Sequence, residues 1–176
     1  MKQKEEAYTL DDLLAKAKTY IKNNDDIELI KNAYAFASKA HAGQLRLTGD
    51  DYMLHPLNVA LILTEIYADS QTLATALLHD VINFSDVTIE DVEEAFGKEI
   101  KELVDGISRI NKLSLSADND ALASYHKKIL VGLSGVVRII ILKIADRLHN
   151  MRTLWAIPER KRKEKAKETL EILVPI

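Results

Sequence analysis

The feature that most constrains this fold is the dipeptide His79-Asp80 at the end of an apolar helical run, residues 72–81. A histidine and an aspartate side by side offer two metal ligands in one place, and the apolar run predicts that both are buried. Two more residues of the same kind, His55 and Asp146, are candidates for the same site. The sequence therefore predicts one divalent metal held inside a helical bundle by these four side chains.

Each candidate ligand also has a simpler structural interpretation. A lone histidine on an apolar helix face is more often a hydrogen-bonded core residue than a ligand, and Asp146 beside Arg147 can form an ion pair. The combination favours the metal, because two histidines and two aspartates match the ligand set of one hydrolytic metal. One helix face also carries a polar stripe at positions i, i+3, i+4 and i+7, namely Asp146, His149, Asn150 and Thr153. Such a stripe needs a polar partner, because burial without one costs free energy.

Composition narrows the class of protein. The chain has 176 residues, of which 47% are hydrophobic and 29% charged, which predicts one globular domain. A net charge of −3 is too small to indicate a nucleic-acid or membrane partner. The chain has no cysteine, which excludes thiolate ligands and leaves His, Asp, Glu and water for Mn, Fe, Zn, Co or Mg.

The ends of the chain predict its location and its context. Residues 1–6 are charged and lack the apolar segment of a signal peptide, and the longest apolar run, 136–142, is too short to span a bilayer. We therefore expect a cytoplasmic protein. Residues 171–176 are mostly apolar, whereas chain termini usually fray into water, so we expect an N-terminal fragment of a longer protein.

Hydrophobic periodicity predicts an all-α fold. The predicted helices cover residues 9–21, 27–42, 56–67, 70–82, 88–96, 98–112, 122–133 and 136–154, with a last helix opened by Pro158. Only 136–142 resembles a strand, and it is better interpreted as the start of a buried helix. Residues 41–54 contain two glycines and no clear period, which indicates a loop.

Several sequence motifs lie between about residue 33 and the end of the chain. They are His41-Ala42-Gly43-Gln44-Leu45-Arg46, Tyr52 with His55-Pro56, Leu77-Leu78-His79-Asp80-Val81, Phe96-Gly97 with Leu103-Val104-Asp105-Gly106, and Lys143-Ile144-Ala145-Asp146-Arg147-Leu148-His149-Asn150-Met151-Arg152-Thr153-Leu154. Together they resemble the HD hydrolase domain of the RelA/SpoT family, and the last block is highly specific. Residues 168–176 resemble the join to the synthetase domain of that family.

The resemblance implies a single HD-domain helical bundle over residues 1–176. It also implies removal of the 3′ pyrophosphate of guanosine tetra- or pentaphosphate, (p)ppGpp, with Mn²⁺ or another divalent metal. By the family pattern the metal ligands are His55, His79, Asp80 and Asp146. The residues expected to line the nucleotide pocket are Arg46, against the guanine base, and Thr48, Asn150 and Thr153. His41 is not a ligand in this pattern, and we expect it to be satisfied at a helix end.

The chain departs from the family at the catalytic acids. After His-Asp the family pattern continues with two residues and then Glu-Asp, an acid pair that positions and activates the water. Here those positions hold Asn83 and Phe84. Asparagine cannot act as a base, and phenylalanine has no polar side-chain atom. Leu47 likewise stands where the hydrolases usually carry a lysine that meets phosphate.

This departure leaves two main interpretations. In the first, Asp86 partly substitutes for the lost acids and slow hydrolysis remains. In the second, hydrolysis is lost and the domain binds metal and nucleotide to regulate an attached (p)ppGpp synthetase. A third, a phosphohydrolase of ordinary nucleotides, is disfavoured because Arg46 and the block 147–153 are retained. We expect hydrolysis to be reduced or absent.

Overall fold

A computed structural model describes residues 7–114 and 136–170, and within them the predicted all-α bundle is confirmed. The helices are α1 (Leu10–Ala17), α2 (Asn24–Ala40), α3 (Leu54–Thr64), α4 (Ser70–Leu78), α5 (Val81–Phe84), α6 (Ile89–Ser114), α7 (Val136–Arg152), a 3-10 turn (Leu154–Ala156) and α8 (Glu159–Glu168). In this part of the chain the only β interaction is an isolated bridge between Leu45 and Asp51. The helix predicted over 122–133 lies outside the described residues.

Local capping explains where two of the helices begin. At α1 the backbone N–H of Asp12 donates to Thr9 Oγ1 at 3.3 Å, and the N–H of Thr9 donates to the Asp12 carboxylate at 2.8 Å. Thr88 and Asp91 make the same reciprocal pair, at 3.1 and 2.8 Å, before α6. Each pair satisfies N–H groups that a helix start leaves without partners. Gly97, with φ of 81°, kinks α6 where the sequence predicts a break between two helices.

The helix predicted over 70–82 ends earlier than expected, at Leu78, and that prediction is wrong at its end. The ring N–H of His79 donates a hydrogen bond to the carbonyl of Ala76 at 2.7 Å. In a continuing helix that carbonyl would accept from the backbone N–H of Asp80. Asp80 then has φ of −103° and starts the separate short helix α5. The turn between α4 and α5 therefore carries both residues of the His-Asp pair.

Helix α4 is the centre of the bundle, with α2 and α3 packed against it and α7 packed against α3 and α6. Leu73, Leu77 and Leu78 of α4 are fully buried. Full burial of one such leucine contributes about 1.5–3 kcal/mol, so this packing holds the end of α4 in place. The predicted ligands from α3, from the turn after α4 and from α7 meet at that end. No helix in the described residues has the length and apolar character needed to cross a membrane.

Candidate metal centre

Three of the four predicted ligands form one buried group. His55 comes from the first turn of α3, and His79 and Asp80 come from the turn after α4. Each offers a ligand atom within 4.8 Å of the others. Asp146, from the middle of α7, joins them through its Oδ1, which lies 3.2 Å from His55 Nε2. The fold therefore brings all four predicted residues to one place, with Asp146 in contact with His55.

His79 has the hydrogen-bonding pattern of a metal ligand. Its Nδ1–H donates to the carbonyl of Ala76 at 2.7 Å, because a carbonyl can only accept. The lone pair of the neutral ring is then on Nε2, 3.4 Å from Asp80 Oδ2. That buried nitrogen has no hydrogen-bond partner among the described residues. An unpaired buried acceptor beside carboxylates fits a cation, which would supply the missing partner.

His55 is also held in the form that binds metal. Burial lowers the pKa of His55 to about 4, although the hydrogen bond and charge of Asp146 act in the opposite direction. The ring is therefore neutral at pH 7, and a neutral imidazole is the form that coordinates. Its Nε2 faces both carboxylates, at 3.2 Å from Asp146 and 3.8 Å from Asp80.

Asp146 is kept ionised by its neighbours. Burial alone would raise the pKa of Asp146, but the hydrogen bond with His55 and the charge of Lys143 outweigh it and hold that pKa well below its ordinary value. Lys143 Nζ lies 3.1 Å from Asp146 Oδ2 and also donates to Asn111 at 2.5 Å. Asn150 Nδ2 donates to Asp146 Oδ1 at 2.6 Å. The carboxylate is thus charged and oriented from both sides.

Asp80 is oriented by a tyrosine for which the sequence predicted no role. Tyr52 OH donates to Asp80 Oδ2 at 2.9 Å. Burial, followed by the charge and the hydrogen bond of Asp80, raises the pKa of Tyr52 far above its ordinary value, so the phenol stays a donor. The Tyr52 ring stacks on His41, with centroids 4.4 Å apart.

His41 lies at the C-terminal end of α2, as predicted, and is not part of the ligand group. Gln44 Nε2 donates to the carbonyl of Phe84 at 2.7 Å, so Gln44 Oε1 accepts from His41 Nδ1 at 2.9 Å. The ring is only 1% exposed. Its Nδ1 is satisfied as predicted, whereas Nε2 is buried without a hydrogen-bond partner in the described part of the chain.

Two of the four predicted nucleotide-pocket residues meet beside the centre. The Arg46 guanidinium lies 3.4 Å from Asn150 Oδ1 and 3.5 Å from His149 Nδ1. The other two make local hydrogen bonds: Thr48 accepts from the N–H of Asp50 at 3.3 Å, and Thr153 donates to the His149 carbonyl at 3.2 Å. Thr153 and His149 also line a cavity of about 440 Å³.

The two positions at which the family pattern predicts an acid pair follow Asp80 closely, and the backbone N–H groups of Asn83 and Phe84 both donate to the Asp80 carbonyl at 3.1 Å. Asn83 Oδ1 accepts from Ser108 Oγ at 2.8 Å, and its Nδ2 is buried with no hydrogen-bond partner in the described residues. Phe84 is 55% exposed, and its ring centroid lies 5.9 Å from that of Tyr52. Asp86 is exposed, and no hydrogen bond or ion pair joins it to the ligand group within residues 7–114 and 136–170. These two positions therefore hold an amide and a ring, and no base.

Three side chains contact the predicted ligands without being predicted to do so: Lys143, Tyr52 and His149. Lys143 lies three residues before Asp146 on the same helix face, so helical spacing could have found it. His149 belongs to the predicted polar stripe, but its contact with His55 spans 94 residues. Tyr52 lies in an aperiodic loop, and the residues around it carry no signal for its contact with Asp80.

Comparison with known proteins places these residues in a family. A model of the HD domain family matches residues 33–176. The bifunctional (p)ppGpp synthase/hydrolase SpoT of Escherichia coli K12 is 41% identical over 169 residues, which cover 96% of this chain and 24% of that protein. A guanosine-3′,5′-bis(diphosphate) 3′-pyrophosphohydrolase of Aquifex aeolicus is 42% identical over 149 residues, covering 85% of this chain and 21% of that protein.

A third relative and a solved structure are similar to this chain as well. A GTP pyrophosphokinase of Myxococcus xanthus is 42% identical over 154 residues, 86% of this chain and 20% of that protein. The chain thus spans a quarter or less of the curated relatives described here. A metazoan ortholog of SpoT that hydrolyses ppGpp superposes with a TM-score of 0.63 at 25% identity, over 82% of this chain and 85% of that one.

Proposed function

Because this chain belongs to the HD domain family, in its RelA/SpoT hydrolase branch, we propose that it is a metal-dependent (p)ppGpp 3′-pyrophosphohydrolase domain with reduced hydrolysis. The observation that carries the proposal is the buried group of His55, His79 and Asp80, with Asp146 in contact, beside positions 83 and 84 that hold no acid. The relatives named as pyrophosphohydrolases support the substrate class.

The proposed ligands are His55, His79, Asp80 and Asp146, and the proposed cation is Mn²⁺. A divalent cation at such a site stabilises charge on a phosphate and makes water more acidic. The protein's own part is orientation. Tyr52 and Lys143 hold the two carboxylates by hydrogen bonds of 2.9 and 3.1 Å.

The nucleotide is proposed to lie against Arg46 and Asn150, whose side chains meet 3.4 Å apart beside the centre. A guanidinium offers only donors, which suit a phosphate group, and a planar face, which suits the ring of a guanine base. Leu47 is 73% exposed on the same loop. It offers no charge to a phosphate, so we expect weaker binding of the pyrophosphate group than a lysine would give.

The missing acids account for the reduced rate. A positioned acid or base contributes roughly 10²- to 10⁴-fold to such a reaction. Asn83 has only an amide, which takes up no proton at neutral pH and whose oxygen already accepts from Ser108, and Phe84 has no group to move a proton. Asp86 is exposed and without a contact to the ligand group in the described residues, so we expect it to contribute little.

The test restores the acids. Asn83→Glu with Phe84→Asp should raise Mn²⁺-dependent release of pyrophosphate from ppGpp by about 10²-fold or more over the unmodified chain. The matched control, Asp86→Asn, should leave any residual rate unchanged, whereas a marked loss would assign Asp86 the role of substitute. Circular dichroism and Mn²⁺ titration check that each variant is folded and loaded. An unchanged rate in a loaded double variant would refute the explanation by lost acids.

The alternative is a non-catalytic module that binds metal and nucleotide and regulates a (p)ppGpp synthetase in the same protein. The absence of a base at positions 83 and 84 favours it, as does the resemblance to relatives named as bifunctional synthases or GTP pyrophosphokinases. Thermal unfolding with Mn²⁺ and ppGpp distinguishes the two. A raised Tm without pyrophosphate release supports the module, and turnover supports the enzyme.

A further inference from the structure

The remaining buried histidine of α7 touches the ligand group without belonging to it. His149 is 2% exposed, and its Nδ1 lies 2.8 Å from Nδ1 of His55. The two ring centroids are 4.9 Å apart and the rings are inclined at 45°. Two ring nitrogens at hydrogen-bond distance share one proton, so one ring donates and the other accepts.

The direction of this hydrogen bond follows from the role of His55. Without a cation, His55 Nε2 carries the proton of its hydrogen bond with Asp146. A cation at Nε2 takes the place of that proton, and the single proton of the neutral ring is then on Nδ1. His55 Nδ1–H then donates, and His149 Nδ1 must accept. Arg46 has donors only, and its guanidinium lies 3.5 Å from the same nitrogen, so the lone pair of His149 faces two donors.

We propose that His149 is a positioning residue that accepts the hydrogen bond from His55 Nδ1–H. It thereby fixes the tautomer and the ring plane in which His55 Nε2 faces Asp80 and Asp146. The inference rests on the proposed function, because it takes His55 to be a metal ligand. The partner that orients a ligating histidine is usually a carboxylate, a carbonyl or water. Here a second histidine, 94 residues away in the chain, has that position.

The test compares side chains that differ in where they place an acceptor. Asparagine at position 149 can place its amide oxygen close to the position of Nδ1, glutamine carries its amide farther out, and leucine fills the space without an acceptor. Loss of such a partner typically weakens metal binding by roughly 10- to 100-fold. His149→Leu and His149→Gln should show that loss, and His149→Asn should stay within about threefold of the unmodified chain.

The readout is the dissociation constant for Mn²⁺ alone, from the electron paramagnetic resonance signal of the free ion, with no nucleotide present. Leu148→Ala is the matched control, because Leu148 is the neighbouring residue on α7 and is 41% exposed. Circular dichroism confirms folding. Should His149→Leu fail to fold, the comparison of the asparagine and glutamine variants carries the test.

Each outcome decides between the two claims. The positioning role is overturned if His149→Leu or His149→Gln binds Mn²⁺ as tightly as the unmodified chain. It is also overturned if His149→Asn loses as much Mn²⁺ affinity as His149→Gln. Either result leaves the proposed function standing. Failure of the unmodified chain to bind Mn²⁺ overturns the proposed function, and the positioning role with it.

Discussion

Replacing Lys143 by methionine tests whether charge balance at the ligand group controls the stability of the metal-free chain. Lys143 and Asp146 have side chains only 9% and 7% exposed, and their charged atoms lie 3.1 Å apart. Methionine keeps most of the volume of lysine, so little cavity forms. The substitution therefore leaves mainly one consequence, a buried carboxylate without its cation.

The magnitude has two independent limits. Removing one partner of a buried ion pair costs about 3–5 kcal/mol. The carboxyl can instead take up a proton. This costs about 1.4 kcal/mol for each pH unit between its ordinary pKa and the pH of the solution, which at pH 7 makes roughly 4 kcal/mol in all. We therefore expect Lys143→Met to lower the free energy of unfolding by about 3–4 kcal/mol at pH 7.

The loss should shrink as the pH falls. In the unmodified chain the pKa of Asp146 is held well below its ordinary value, so its stabilisation is present above the unfolded-state pKa. That stabilisation is lost as the pH falls through the folded-state pKa. In Lys143→Met the folded-state pKa of Asp146 is raised instead, and at pH 5 protonation costs only about 1–2 kcal/mol. The stability difference between the two chains should therefore fall to about that value.

The assay is urea unfolding with a chelator present, followed by circular dichroism at pH 7 and at pH 5. Lys161→Met is the control, because Lys161 is exposed on α8 and its removal should change stability by less than about 0.5 kcal/mol. A loss below about 1 kcal/mol at pH 7, or one that does not diminish at pH 5, would refute the reasoning.

Two further predictions concern packing and capping. A Cβ at Gly106 would collide with Cδ1, the tip of the buried Ile139 side chain, so Gly106→Ala should not bring the gain of about 0.5–1 kcal/mol that alanine usually gives over glycine in a helix. In an Ile139→Val background, which lacks Cδ1, that gain should be recovered in urea unfolding. No recovery would place the strain elsewhere. Thr88→Ala should lower the free energy of unfolding by about 1 kcal/mol, whereas Thr88→Ser should keep most of the stability of the unmodified chain. Because the hydrogen bonds of Thr88 lower the pKa of Asp91, this difference should narrow as the pH falls through that pKa. A difference independent of pH would argue against the pair.

Much of the fold was predictable because its signals are local. The reciprocal caps Thr9–Asp12 and Thr88–Asp91 lie at the predicted helix starts, and the glycine at position 97 interrupts the helix as predicted. The end of α4 was not predictable from periodicity. There the ring of His79 competes for the carbonyl of Ala76, a contact that a pattern of apolar residues does not encode.

The candidate site divides in the same way. Residue type and the family resemblance named His55, His79, Asp80 and Asp146, and the fold brings them together. Two of the partners that contact them, Tyr52 and His149, were missed because they lie far away in the chain. Tyr52 donates to Asp80 across 28 residues, and His149 meets His55 across 94.

By itself, then, the sequence determined the helical class, the buried faces and the supply of imidazoles and carboxylates, because these depend on residue type and on spacing along one helix. Only the tertiary structure decided which ring nitrogen faces which neighbour. Hydrogen bonds require donor and acceptor to be within about 3 Å in a favourable direction. That geometry exists only once α3, α4 and α7 have packed together.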